Sequence, residues 1–365
     1  MKLICFHLFN DYSGSPKVLK NLLCNLQAQG VEMELITSRG GILDEIPHSQ
    51  NFKRRSYSYR FSNNAIIATI RYFAAQIYTF FIALGYAFNR DTVFYINTIL
   101  PVGPAIAGRL TGKRVIYHYH ENAMVKSAFY RALAWIMQKI ATEIICVSSY
   151  QRSFLKREKG VRVIPNALEE DFIKRLCPAP EKAFERKTVL MLGSLKGYKG
   201  TLEFIQLADR MPQYRFELVL NETQEKIDSF LKGNKIKKTS NLEIFPRQEN
   251  VSCFYNRASL VLNLSNKNLA IETFGLTALE AMSAGLPIIV PTVGGIAEMV
   301  DDGKNGYKID VQDLDKIEES IKNILSNREL YLFLSNEGLQ RSRTYCVAKM
   351  AGEVLKTIRN GKSDE

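Results

Sequence analysis

Twice along this chain of 365 residues, short apolar runs bounded by polar turns alternate with segments of helical periodicity. Strands flanked by helices in this rhythm are covered on both faces, which restricts each half to a doubly wound parallel sheet of α/β class. In the first series Lys2–Phe9 reads as a buried strand. Pro16 opens a helix whose Val18, Leu19, Leu22, Leu23 and Leu26 recur at helical spacing, and Gly30 stops it. Strands Val31–Thr37, Thr92–Ile96, Arg114–His118, Glu143–Val147 and Val161–Ile164 follow, with helices Ala105–Leu110 and Val125–Ile140 among them and an irregular stretch around Gly40–Arg60. Leu168–Lys187 carries Pro178 and Pro180 and no clear period, so it reads as a linker. The pattern then restarts with strands Thr188–Leu192, Arg215–Leu220, Leu242–Phe245, Leu260–Leu264 and Pro287–Val290, and helices Gly200–Arg210, Thr223–Leu231 and Gly275–Ala284. The expected organisation is a domain over 1–167, a linker over 168–187, a second domain over 188–345, and a helical tail over 346–365 that packs back on the first domain. The two domains are expected to face each other across a cleft, where open parallel sheets bind ligands.

A formal charge of +12 raises the local concentration of anionic partners, or makes a solvated basic surface, and says nothing about fold. Lysine and arginine are dense at Lys53–Arg60 and at Lys232–Lys238. Six scattered cysteines without a C-x-x-C pair suggest free thiols and a reducing compartment. The apolar run at the N-terminus is too short for a signal peptide, so a cytoplasmic location is expected, with peripheral association at the inner face of the membrane. Tyr72–Phe88 is nearly all apolar and bracketed by Arg71 and Arg90. It reads as a buried or interfacial helix in preference to a span, because a span would split the strand–helix series.

Chemistry concentrates in the phrase Glu272-Thr-Phe-Gly-Leu-Thr-Ala-Leu-Glu280. Two carboxylates eight positions apart stand roughly 10–12 Å apart if the interval is mostly helical. That exceeds the spacing of about 5–9.5 Å with which glycosidase carboxylates flank one bond, and it suits the two ends of an extended ligand. A helix opening at Phe274-Gly275-Leu276 offers bare amides and a positive dipole end to a diphosphate. Read singly, Glu272 is a capping or solvated residue and Glu280 a surface residue.

The whole phrase resembles the E-x7-E signature of the family-four retaining glycosyltransferases. The resemblance implies a GT-B fold of two Rossmann-like domains and a nucleotide-sugar donor, with the donor sugar on Glu272 and the nucleotide ribose on Glu280. Val189–Gly200 is similar to the family's strand, glycine loop and Lys-Gly element, which implies donor phosphate at Gly193, Ser194, Lys196 and Lys199. Ser194 stands where the family often carries arginine, and Lys196 is the substitute. Val163-Ile-Pro-Asn166-Ala, Gly294-Gly295-Ile-Ala-Glu298 and Asp302-Gly303-Lys-Asn305-Gly306 resemble three further family turns, in the right order. The loop holding Gly14 and Ser15 takes the place of the family's glycine-rich loop, touching donor phosphate or acceptor, and His120 matches a histidine that faces the reacting sugar.

His118 and His120 would share a face of a strand, but no third ligand accompanies them, and no Asp-x-Asp lies beside a strand. No cofactor and no divalent metal are therefore expected; Lys199 and the helix start at Phe274–Leu276 would neutralise the leaving diphosphate. The expected partners are a nucleotide-sugar donor, a sugar or lipid-linked sugar acceptor in cell-surface polysaccharide synthesis, and an anionic membrane surface. Rival readings are another GT-B enzyme, such as a nucleotide-sugar epimerase or a phosphorylase, and a basic nucleic-acid-binding protein. Nucleic acid is not expected, since no recognition motif is present.

Overall fold

The computed structural model describes residues 1–60, 62, 64–123 and 125–359. The chain forms two compact units, Met1–Ala167 together with the helix Val347–Arg359, and Leu168–Cys346. Residues 360–365 of the expected tail lie outside the described residues.

The first unit is built on seven strands, β1 (Lys2–Phe6), β2 (Glu32–Ser38), β3 (Phe52–Tyr57), β4 (Thr92–Asn97), β5 (Arg114–Tyr119), β6 (Glu143–Cys146) and β7 (Val161–Val163). They pair in the order β3-β2-β1-β4-β5-β6-β7, and every pair is parallel. Central strands of such a sheet have no solvent face, which is why β4 is buried at every position and reads as an apolar run from Val93 to Ile96. β3 escapes the sequence reading for the opposite reason. It is an edge strand with the polar sequence Phe-Lys-Arg-Arg-Ser-Tyr, and only Phe52 is fully buried.

Four long helices connect these strands: α1 (Gly14–Ala28), α2 (Ala65–Leu84), α3 (Val102–Leu110) and α4 (Ala128–Ile140). Helices α2, α3 and α4 pack side by side, and their Ala83, Ala105, Ala134 and Met137 share a core with Phe6, Ile96, Tyr117 and Cys146 of the sheet. The apolar segment expected from Tyr72 begins earlier, at Ala65, because the Asn64 side chain accepts hydrogen bonds from the amides of Ile66 and Ile67. At Gly103 a Cβ would come within 2.2 Å of the Gln76 carbonyl, so α2 and α3 touch backbone to backbone. Gln76 also accepts the Gly103 amide at 2.9 Å. The Val347–Arg359 helix packs on α1, and Arg114 donates to the carbonyls of Thr357 (2.9 Å) and Ile358 (2.6 Å) at its end while pairing with Glu143.

The second unit carries β8 (Thr188–Gly193), β9 (Arg215–Leu220), β10 (Leu242–Phe245), β11 (Leu260–Leu262), β12 (Ile288–Val290) and β13 (Tyr307–Lys308), ordered β10-β9-β8-β11-β12-β13 and again wholly parallel. The stretch 168–187, expected as a linker, is instead part of this unit. It forms helices Glu170–Arg175 and Pro180–Arg186, and buries Phe172 against Tyr255 and Phe184 against Tyr331. Helices of six and seven residues are too short to display a period, and Pro180 stands where a helix's first turn tolerates proline. All six cysteines are free; burial pushes the Cys146 thiol up to about 12, so it behaves as a small apolar side chain.

Candidate active site

In each sheet the strand order reverses direction once, between β1 and β4 in the first and between β8 and β11 in the second; Gly14 and Ser15 follow β1, Lys199 follows β8 and Glu272 follows β11. In the second unit β8 ends at Gly193 and leads to a single turn, Gly197–Lys199. Gly200 follows with φ +72°, and a Cβ there would stand 2.3 Å from the Leu264 carbonyl. Only glycine lets this turn press against the loop that leaves β11. The Asn266 amide donates to the Tyr198 carbonyl at 2.7 Å and ties the two loops together.

This close approach brings Lys199 onto Glu272. The ammonium pairs with Glu272 Oε1, and Ser265 Oγ donates to the same oxygen at 3.0 Å. The two side chains are 23% and 22% exposed. Burial alone would raise the Glu272 carboxyl, but Lys199, the Ser265 hydroxyl and nearby Lys196 outweigh it and hold the group below the ordinary glutamate range. For Lys199, burial pulls down while Glu272 pulls up, and the net shift is upward. The pair is therefore fully ionised at neutral pH.

The backbone of Glu272 is fixed by the glycine pair downstream. The Gly295 amide donates to the Glu272 carbonyl at 2.8 Å, and at Gly294 (φ +116°) a Cβ would come within 2.6 Å of that oxygen. Phe274 is buried against Tyr345. Gly275, with φ +92°, precedes the helix Leu276–Ser283, and no side chain caps this helix start. Glu280 accepts a 2.5 Å hydrogen bond from Tyr255. Only the later part of the Glu272–Glu280 interval is helical, so the spacing read for a mostly helical interval does not apply. Ser194 offers its carbonyl to Thr201 Oγ1 at 3.1 Å, Lys196 is exposed, and at Gly193 a Cβ would meet nothing closer than 3.9 Å. The Asp302–Gly306 loop is closed internally: Asn305 accepts the Asp301 amide and donates to the Met299 carbonyl.

In the first unit Gly14 and Ser15 form the start of α1, where no side chain caps the helix; Asp11 Oδ1 accepts from the amide and hydroxyl of Ser13 just before it. His120 lies just past β5 in a polar cluster that the sequence did not reveal. Its Nε2 is 3.0 Å from Asn97 Oδ1, Asn97 Nδ2 is 3.0 Å from His7 Nδ1, and His7 Nε2 is 2.8 Å from the Phe9 carbonyl. An amide that accepts from His120 and donates to His7 requires a proton on Nε2 of both rings and none on Nδ1 of His7, so the bonding makes His7 neutral. The His118 ring lies against His120, with centroids 4.1 Å apart and the planes tilted by 42°, and its Nδ1 meets the Tyr95 hydroxyl at 2.7 Å. Burial lowers all three histidines; for His120 the neighbouring rings of His118 and His7 add to it, and His118 falls to about 3. Among the described residues, no group of three or more His, Cys, Asp or Glu is placed to hold a metal ion.

Four residues of these clusters, His7, Asn97, Ser265 and Tyr255, were missed in the sequence. The available signal was position alone: the first three end or follow strands of apolar character.

Known proteins divide the chain as the structure does. Residues 12–172 match the family described as Glycosyltransferase Family 4, and residues 175–341 match Glycosyl transferases group 1. An uncharacterized glycosyltransferase of Haemophilus influenzae is 22% identical, over 97% of this chain and 99% of its own. Among solved structures, Anabaena HepE in complex with UDP-glucose superposes with a TM-score of 0.80 at 16% identity, covering 99% of this chain and 100% of that one. WaaG, a glycosyltransferase involved in lipopolysaccharide biosynthesis, gives 0.72 at 16% identity, with 99% and 100% covered. Both share the fold of this chain.

Proposed function

Because the chain belongs to the family-four glycosyltransferases of GT-B fold, we propose that it transfers a sugar with retention from a nucleoside-diphosphate donor, without a divalent ion, to a sugar or lipid-linked acceptor in cell-surface polysaccharide synthesis. The observation that carries the donor assignment is the ionised Lys199–Glu272 pair beside the uncapped helix start at Gly275. An arriving diphosphate draws the Lys199 charge toward itself, and the open amides at the start of Leu276–Ser283 meet further negative charge. Glu272, released from its partner, accepts from hydroxyls of the donor sugar. Glu280, oriented by Tyr255, accepts from the ribose. Charge developing on the leaving phosphate is neutralised by groups already in place, so no large rearrangement is required in the transition state.

The uncapped start of α1 at Gly14 and Ser15 offers a second set of amides to phosphate or acceptor. Neutral His120, its Nε2 proton directed to Asn97, meets a sugar hydroxyl without adding charge, a role supported by its lowered pKa. The inner face of the cytoplasmic membrane is the proposed location, in keeping with a membrane-borne acceptor; HepE with UDP-glucose and the lipopolysaccharide enzyme WaaG share the fold.

The test is a thermal-shift screen of nucleoside diphosphates and nucleotide sugars in the presence of a chelator. A ligand that binds at 100 times its Kd stabilises the folded form by about 2.7 kcal/mol. One donor class is expected to raise Tm, and Lys199→Ala and Glu272→Ala are expected to abolish the rise. A shift that survives both substitutions would overturn the assignment.

A further inference from the structure

Helix α2 contradicts the usual division of a surface helix into an apolar inner face and a polar outer one. Its inner face (Tyr72, Ala75, Gln76, Thr79 and Ala83) is buried. Its outer face is just as apolar: Ile66, Ile70, Phe73, Ile77 and Phe81 are 53–72% exposed. These positions recur at intervals of three and four, so they form one stripe along a helix of twenty residues, about 30 Å long. The helix meets the length and composition of a membrane span, yet its inner face is buried and Gly103 packs on its backbone. It also serves as the connection between β3 and β4 of one parallel sheet, which a spanning helix could not do. An apolar stripe of this size on a fixed helix marks a surface that something covers.

Charge identifies the cover. Between Ile46 and Arg90 the chain has six lysines and arginines and no aspartate or glutamate. Helices α2, α3 and α4, which pack as one layer, contribute Arg71, Arg109, Arg131 and Lys139 and no carboxylate. Trp135, the chain's one tryptophan, stands exposed in the same layer with the Lys139 ammonium 5.9 Å from its ring. Beside the N-terminal half of the stripe opens a cavity of about 530 Å³, lined by Tyr57, Tyr59, Arg60, Arg71, Ala74 and Tyr78. Two guanidinium groups and three phenols line it, a composition suited to phosphate at the edge of an apolar strip; Arg71 also donates to the Arg60 carbonyl and the Tyr57 hydroxyl to the Leu8 carbonyl.

We propose that the outer face of α2 lies in the interface of an anionic lipid bilayer and that the Arg60–Arg71 cavity receives the phosphate head of a membrane lipid. Apolar insertion and basic attraction act together, as interfacial helices require. This deepens the reading above, from which it takes only that the acceptor is membrane-borne.

Full-length protein is sedimented with vesicles of phosphatidylcholine alone or with phosphatidylglycerol added at about 30 mol%, while Trp135 emission is read against lipids brominated along their acyl chains. Binding and quenching are expected with anionic vesicles and at least 10-fold weaker with neutral ones. Ile70→Ser/Phe73→Ser/Ile77→Ser is expected to abolish quenching. Arg60→Gln/Arg71→Gln is expected to weaken anionic binding by about fivefold per charge removed. Millimolar inorganic phosphate, the soluble source of the same chemistry, is expected not to displace the vesicles; full displacement at constant ionic strength would reassign the cavity to free phosphate. The proposal is overturned if the triple variant still quenches, or if it converts a dimer to a monomer in sedimentation velocity without vesicles, which would assign the stripe to a second copy. Nucleoside-diphosphate thermal shifts on the same variants are expected to be unchanged. Their loss from the wild type would refute the donor assignment and leave the vesicle result standing.

Discussion

Replacing Gly275 by alanine tests whether the helix start beside Glu272 is held open by the absence of a side chain. At φ +92° an L-residue bears a backbone cost of roughly 1–2 kcal/mol. The new Cβ would also stand 2.5–2.7 Å from three carbons of the buried Ile296, so that side chain must shift. Overpacking of this kind costs about 1–3 kcal/mol, which gives a total of about 2–5 kcal/mol. A double-mutant cycle with Ile296→Ala separates the two parts. Ile296→Ala alone leaves a cavity and costs about 2–5 kcal/mol. In the double variant two of the three close contacts vanish and the Cβ of residue 296 remains, so a favourable coupling of about 1 kcal/mol or more is expected. Urea unfolding followed by far-ultraviolet circular dichroism measures each corner. Gly193→Ala is the control: a Cβ there meets nothing within 3.9 Å, and its midpoint is expected within about 0.5 kcal/mol of the wild type. Strict additivity, or a Gly275→Ala cost no larger than the control's, would refute the reasoning.

Lys199→Met removes the charge proposed to meet the leaving phosphate, and steady-state kinetics are expected to show kcat reduced by about 10²–10³. Tyr255→Phe leaves Glu280 without its hydroxyl donor, and the donor KM is expected to rise about 5–20-fold with kcat little changed. His7, His118 and His120 all have folded pKa values below the unfolded value of about 6.5. Groups depressed in this way bind more protons when unfolded, so their contribution is complete above pH ~6.5 and is lost as pH falls toward the folded values. Tm is therefore expected to drop on acidification from pH ~6.5 to ~4.5, with a shallower slope in His118→Asn. Arg114→Met releases the carbonyls of Thr357 and Ile358, and a loss of about 2–3 kcal/mol with faster proteolysis of the last helix is expected.

What could be read from the sequence depended on repetition. Parallel strands announce themselves by unbroken apolar runs, and β1, β4, β5 and β6 were placed within a few residues. Edge strand β3 carries Lys53, Arg54 and Arg55 in its middle and gives no such signal. The helices of 168–187 are shorter than two full turns and could not be told from a linker. At the site, Glu272 and Lys199 were legible because each belongs to a phrase with glycines at fixed offsets, and the structure joins them in an ion pair. Ser265, Tyr255, His7 and Asn97 belong to no phrase. Asn97 and His7 meet across 90 residues of chain and Tyr255 reaches Glu280 across 25, contacts that leave no local trace; Ser265 lies seven residues before Glu272, outside the phrase. The extent of α2 was misjudged at its start because Arg71 looked like a flank, whereas the capping residue was Asn64.

The helix Val347–Arg359 gives the chain an unusual order of completion. A nascent polypeptide emerging from the ribosome has delivered all seven strands of the first sheet by Val163, yet the helix that lies on α1 and is latched by Arg114 arrives almost two hundred residues later. Until then α1 lacks that covering and the Arg114 guanidinium lacks its two carbonyls. The later-synthesised Leu168–Cys346 unit, being contiguous, can finish first. Truncation late in translation would thus spare the Leu168–Cys346 unit and leave the first unit incomplete.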